Sequence, residues 1–268
     1  VIMFKLSAVF AFLAISQVAF ASPAPLVTEN VTDLEGRANL HTYLDFSGAR
    51  AGQDAIQFLW DRGLYVTEYQ MPDPSKGPVP REFLKSNVYF GNGVLNMRVN
   101  GYTGGFIKGA EIATLNSAPY GSVRVQYKSS GVPGVCEGNF FYTNDNLEVD
   151  FEILTSTTRT SSPYVPAGIW ATNQALVPGG QKTYQIVPFT FNPQDAFHEY
   201  RIDWTATAST FFIDGRQVAR LTSNVPKEAM KYLFNVWSNG DPYWSAGPPT
   251  RDSITQIRSI DLYQGYLP

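Results

Sequence analysis

The sequence predicts an all-β fold, a sandwich or jelly roll of two stacked antiparallel sheets. Three observations carry this. Short runs rich in β-branched and aromatic residues recur at intervals of roughly 8 to 15 residues. Hairpin-type turns join several of them, notably Gly91-Asn92-Gly93 and Asp214-Gly215, which supply residues able to take positive φ. Helical segments are few and short. The chain has 268 residues, 44% hydrophobic and 16% charged, enough for a sizeable core and unlike a disordered chain.

The elements follow in order. Lys5, the apolar run "LSAVFAFLAISQVAF" and the small-residue site Ala19-Phe20-Ala21 read as a secretory signal over residues 1–21. No second apolar run follows, so a secreted, extracellular protein is expected, with no membrane association once the signal is removed. Residues 22–38 are polar and proline-bearing, a loose lead-in, and Asn30-Val31-Thr32 fits the N-glycosylation pattern. A single domain is expected over 39–268. "HTYLDFSG" is its first fold-like segment, and "AGQDAIQFLW" is a short helix candidate or a loop. "MPDPSKGPVP" is a long surface loop. Strands then follow one another: the pair in "NVYFGNGVLNMRVN", "SVRVQYK", the pair around Asp214-Gly215, "KYLFNVW" and "ITQIRSIDLYQ". Between them only "PKEAMKY" reads as helical.

The stretch "NLEVDFEIL", residues 146–154, places Glu148, Asp150 and Glu152 at alternate positions. On a helix the middle residue would leave the face of the other two; on a strand all three share one face, with Val149, Phe151 and Ile153 on the other. The surroundings, "NFFYTNDNLEVDFEILT", are aromatic and β-branched, which favours a central strand. Three like charges about 6.6 Å apart destabilise a strand and raise one another's pKa. A solvated acidic edge is the bland alternative. Carboxylates beside aromatics suit a sugar site, where two of them can cleave a glycosidic bond, one protonating the leaving oxygen and the other attacking or activating water. The retaining reaction needs the two carboxyl groups about 5 to 5.5 Å apart, so side chains starting roughly 13 Å apart at Cα must converge.

The motif Glu148-Val149-Asp150-Phe151-Glu152 resembles the E-x-D-x-E signature of glycoside hydrolase family 16. "LDFSG" (44–48), "APYGSVRVQYK" (118–128), "FHEYRIDWTATASTFFIDGRQV" (197–218) and "LFNVWSNG" (233–240) are similar to other family segments, in the expected order. The resemblance implies a jelly roll with an open concave cleft and a retaining mechanism, with Glu148 as nucleophile, Glu152 as general acid/base and Asp150 as assisting carboxylate. The unbulged spacing is similar to that of licheninases, xyloglucan transferases and chitin–glucan crosslinking transferases. A secreted endo-enzyme on β-1,3/1,4-type glucans is expected, with a transglycosylase or a non-catalytic carbohydrate-binding protein as alternatives. Two departures stand out. Asn146 takes the place of a frequent Trp, and "VRVQYK" lacks the usual acidic residue and Arg pairing.

Other candidates for contact with sugar are Tyr142, Asn235, Trp237 and His198, together with Trp170 and Trp244, both placed in loops. Trp204 reads as core, and Glu111 and Asp203 stay unassigned. Cys136, the one cysteine, excludes an intrachain disulfide and reads as a buried structural residue. With two histidines and no paired cysteines, neither metal nor cofactor is expected. A net charge of −3 without a basic patch argues against nucleic acid. The expected partner is a β-glucan polysaccharide, and the expected state a monomer.

Overall fold

The computed structural model describes residues 38–265. The expected signal segment, the glycosylation triplet and all of the lead-in except Ala38 lie outside the described residues. The chain enters on β1 (Leu40–Asp45) and then forms α1 (Ala55–Trp60), capped by Asp54, whose Oδ1 accepts from the Gln57 N–H at 3.0 Å. The strands β2 (Leu64–Val66), β3 (Tyr69–Met71) and β4 (Arg81–Phe83) follow. Next come β5 (Val88–Gly91), β6 (Val94–Val99), β7 (Ile107–Thr114) and β8 (Gly121–Lys128). The hairpin of β9 (Cys136–Asn144) and β10 (Leu147–Leu154) carries the three carboxylates. After it run β11 (Ile169–Asn173), β12 (Thr183–Val187), β13 (His198–Trp204), β14 (Ser209–Ile213), β15 (Arg216–Leu221), β16 (Lys231–Trp237) and β17 (Ser253–Gln264).

These strands form two large sheets. One runs β15-β14-β13-β8-β17-β6-β5, with β1 added on β17; the other runs β12-β11-β10-β9-β16-β7-β4-β3, with β2 added on β7. Pairing is antiparallel except between β4 and β7, a local departure from the expected all-antiparallel sandwich. Both anticipated hairpins form. Gly91 faces Val94 across a two-residue turn, and Asp214 and Gly215 take φ of +49° and +75° between Ile213 and Arg216, the conformation such turns require.

"PKEAMKY" is not helical. Met230 makes an isolated antiparallel bridge to Ala118, and the Pro226 carbonyl accepts from Trp204 Nε1 at 2.9 Å. A segment this short cannot nucleate a helix against such tertiary contacts.

The core lies between the sheets. Val149, Phe151 and Ile153 of β10 are fully buried in it. Phe151 reaches the opposite sheet, its ring 5.1 Å from Phe211 of β14 and 6.2 Å from Tyr200 of β13. Trp204 is core as expected. Asp203 is structural: it is ion-paired with Arg201, and the Ser122 hydroxyl donates to it at 2.6 Å. Glu137, inward-facing on β9, accepts from Thr255 Oγ1 at 2.6 Å and the Ser130 N–H at 2.8 Å. Burial pushes its acid up to about 7.

Candidate active site

Because β10 exposes alternate residues to opposite faces, burying Val149, Phe151 and Ile153 turns Glu148, Asp150 and Glu152 outward onto the other face of their sheet. β10 is a central strand, paired with β9 on one side and β11 on the other, so the acidic edge-strand alternative does not apply. Glu152 stands opposite Gly138 of β9 and Trp170 of β11, and Asp150 opposite Phe140 and Thr172. The row continues from Gly138 to Asn235 of β16 and Glu111 of β7. A cleft of about 800 Å³ lies along this face, with the three carboxylates, Tyr142, Asn235 and Trp237 in its lining. Gly138 makes room for it. A Cβ there would lie 2.6 Å from Asn235 Oδ1, so any side chain would displace a lining residue.

The carboxylates differ in their partners. The β9–β10 register shifts between Leu147 and Glu148, where β9 has one extra residue, Thr143, without a partner. Glu148 and Asp150 are hydrogen-bonded to each other, and Gln174 Nε2 donates to Asp150 Oδ2 at 2.9 Å. Glu152 Oε1 accepts from the buried Cys136 thiol at 3.1 Å. Burial pushes Asp150 up to about 6, restrained by the hydrogen bonds from Glu148 and Gln174. Burial, reinforced by the charge of Asp150, pushes Glu152 up to about 8. Burial and then the Asp150 charge also hold Glu148 well above the usual carboxylate range. Three carboxyl groups this close, Asp150 buried and Glu148 and Glu152 half-buried, do not all ionise readily together. Protonation is thus favoured at a position shared by Glu148 and Asp150, and at Glu152.

The other candidates divide. Tyr142, Asn235 and Trp237 line the cleft. Trp170 is in β11, not in a loop, because its neighbours complete the ladder to β10 and β12. It is 8% exposed, packs edge-on against Trp244 at 5.0 Å and stacks on Tyr184 at 5.4 Å. Trp244 lies in a turn, packed on the cluster that holds Cys136. His198 is elsewhere. It sits on β13 in the opposite sheet, its Nδ1 2.7 Å from Asp214 and its ring stacked on Phe191 at 3.7 Å, so it does not line the cleft. Asn146 ties the β9–β10 turn to the chain after β11, donating to the Ala175 carbonyl at 2.6 Å.

Two positions at this site escaped the sequence reading. Glu111 is 5% exposed on the cleft face and accepts from Asn235 Nδ2 at 3.1 Å and Tyr69 OH at 3.3 Å. Burial raises its acid despite these donors. A charged residue within the apolar run "GAEIAT" was the available signal. Gln174, by contrast, meets Asp150 only because β11 pairs with β10, which no local pattern announces.

The family model for glycosyl hydrolases family 16 matches residues 80–254, well over half of the chain. The chain belongs to glycosyl hydrolase family 16. It is 27% identical over 161 residues to Crh-like protein 1 of Aspergillus fumigatus, covering 53% of this chain and 43% of that protein. It is 28% identical over 192 residues to a beta-glucanase of Acetivibrio thermocellus, covering 68% and 53%. The matches thus span about half the length of these relatives. Its fold is that of the Bacillus licheniformis beta-glucanase (TM-score 0.64, 14% identity, 84% of this chain and 97% of that one). It is also that of an apo Crh5 transglycosylase (TM-score 0.59, 22% identity, 86% and 87%).

Proposed function

We propose that the chain is a secreted retaining enzyme that cleaves β-1,3/1,4-type glucans within the chain by double displacement. The carrying observation is the cleft-facing row Glu148-Asp150-Glu152, in which the two outer carboxyls have different partners and the middle one touches the first. In the free site Glu148 holds the shared proton and donates a hydrogen bond through it to Asp150; when that proton passes to Asp150 on sugar binding, the Glu148 carboxylate is charged and held by the return hydrogen bond for attack on the anomeric carbon. Glu152, protonated, gives its proton to the departing glycosidic oxygen. In the second step ionised Glu152 takes a proton from water, whose oxygen displaces Glu148 from the sugar and restores the original configuration. Glu111, Asn235 and the aromatic rings of Tyr142 and Trp237 supply polar and apolar contacts for neighbouring sugars.

The Crh-like relatives and the fold shared with a transglycosylase favour a second reading, in which a sugar hydroxyl replaces water in the second step. The same three carboxylates serve both. Incubating the protein with mixed-linkage glucan, laminarin, xyloglucan and chitin oligomers, then weighing the products, separates them. Hydrolysis yields only shorter chains, whereas transfer also yields longer ones. Nuclear magnetic resonance of the first-formed product should show retained anomeric configuration, and inversion would overturn the mechanism.

The pH dependence follows from Glu152. kcat/KM should fall on the basic side near pH 8, where the general acid loses its proton. The Cys136 thiol donates to Glu152 and favours its ionised form. Cys136→Ala should therefore move this basic limb to higher pH, and Cys136→Ser, which keeps a donor, should bring it back. A limb that stays put in Cys136→Ala would mean the thiol does not tune the acid.

A further inference from the structure

The cleft is crossed by a bar. β9 and β16 run antiparallel, with Cys136 opposite Trp237 and Tyr142 opposite Lys231. Asn239, two residues beyond Trp237, therefore lies off one end of these strands. Asp145, three residues beyond Tyr142, lies off the other. Lys76, in the loop between β3 and β4, joins the two ends. Its carbonyl accepts from Asn239 Nδ2 and from Arg81 Nη1, each at 2.9 Å. Its ammonium reaches Asp145 Oδ2 at 2.6 Å. Both Lys76 and Asp145 line the cleft, so the lysine side chain ties the β3–β4 loop to the β9–β10 turn at the cleft.

The two ends of the bar differ in stiffness. Pro72, Pro74, Pro78 and Pro80 restrict the loop, and Asp73 caps its 3-10 turn by accepting from the Ser75 N–H at 2.8 Å. Gly77 seats the loop against Asn239: a Cβ there would come within 2.2 Å of the amide, and φ is +139°. Arg81, which holds the Lys76 carbonyl, is itself stacked on Trp237, 4.4 Å from the ring. The far end is only an ion pair, 42% and 68% exposed, with Tyr142 OH donating to the other Asp145 oxygen at 3.3 Å. Such a pair opens easily and is screened by salt.

We propose that Lys76 and Asp145 form a latch over the cleft that selects unsubstituted glucan chains. The proposal rests on the β-glucan reading. A linear chain running from the carboxylates toward Asn235 and Glu111 passes beneath the closed latch. A chain with side branches in that stretch props it open and forfeits the ion pair. The preference this generates is bounded by what one exposed ion pair contributes, up to about fivefold.

The test compares kcat/KM on unbranched mixed-linkage β-glucan with kcat/KM on side-chain-bearing xyloglucan, for wild type and Lys76→Ala, at low and high sodium chloride. The branched-to-unbranched ratio should rise in Lys76→Ala by up to about fivefold. It should rise in wild type on adding salt, and should not respond to salt in the variant. A ratio that neither the substitution nor salt moves, in a wild type active on the linear glucan, overturns the latch alone. A wild type inactive on both polymers overturns the β-glucan reading and the latch with it.

Discussion

Glu152→Gln and Glu148→Gln are each expected to lower turnover on β-glucan by a factor on the order of 10³ or more. The two losses should differ in kind. Glu152 acts on the leaving oxygen, so an aryl glycoside whose phenolate departs without a proton should recover bond cleavage in Glu152→Gln. Glu148 makes the bond to the sugar, so the same substrate should recover nothing in Glu148→Gln. Neither substitution should unfold the protein, because glutamine matches the shape of glutamate and removes one acid from a crowded trio. Thermal unfolding should show an unchanged or raised Tm. Near wild-type turnover in either variant would refute the assignment of roles.

Phe151→Ala is expected to be the opposite case, with stability lost first. Phe151 is fully buried between the two acids Asp150 and Glu152 in sequence, but faces the other way, onto Phe211 and Tyr200 of the second sheet. Emptying a site of this kind costs about 3–5 kcal/mol, which in a domain of this size lowers Tm by something on the order of 10 °C. Denaturant melts would register the loss as a lower midpoint with little change of slope. A Tm within a degree or two of wild type would mean that the ring does not staple the sheets together.

What was legible in the sequence was what repeats over two residues or sits in a tight turn. Strand periodicity placed Glu148, Asp150 and Glu152 together, and Gly93 and Asp214-Gly215 announced their hairpins because few other residues take the positive φ found there. Which sheet a strand joins has no such local signature. His198 lies in a strand that alternates as regularly as β10, yet that strand pairs with β8 and β14, away from the cleft. Trp170 reads as loop in the sequence because its run is only five residues long, too short to show alternation. The helical reading of "PKEAMKY" failed because propensity yielded to a bridge with Ala118, an interaction distant in sequence. The Lys76–Asp145 contact joins positions 69 residues apart and is invisible without the topology.

The alternation along β10 also bears on how such a protein can change. Its outward letters carry chemistry and its inward letters carry cohesion, so the two can drift almost independently, one position at a time. An insertion or deletion within the strand is different. Slipping the frame by one residue would turn Val149, Phe151 and Ile153 to the cleft and drive three acids into the core. Lineages descending from this strand can therefore vary its spelling freely, but its length only where a bulge absorbs the added residue.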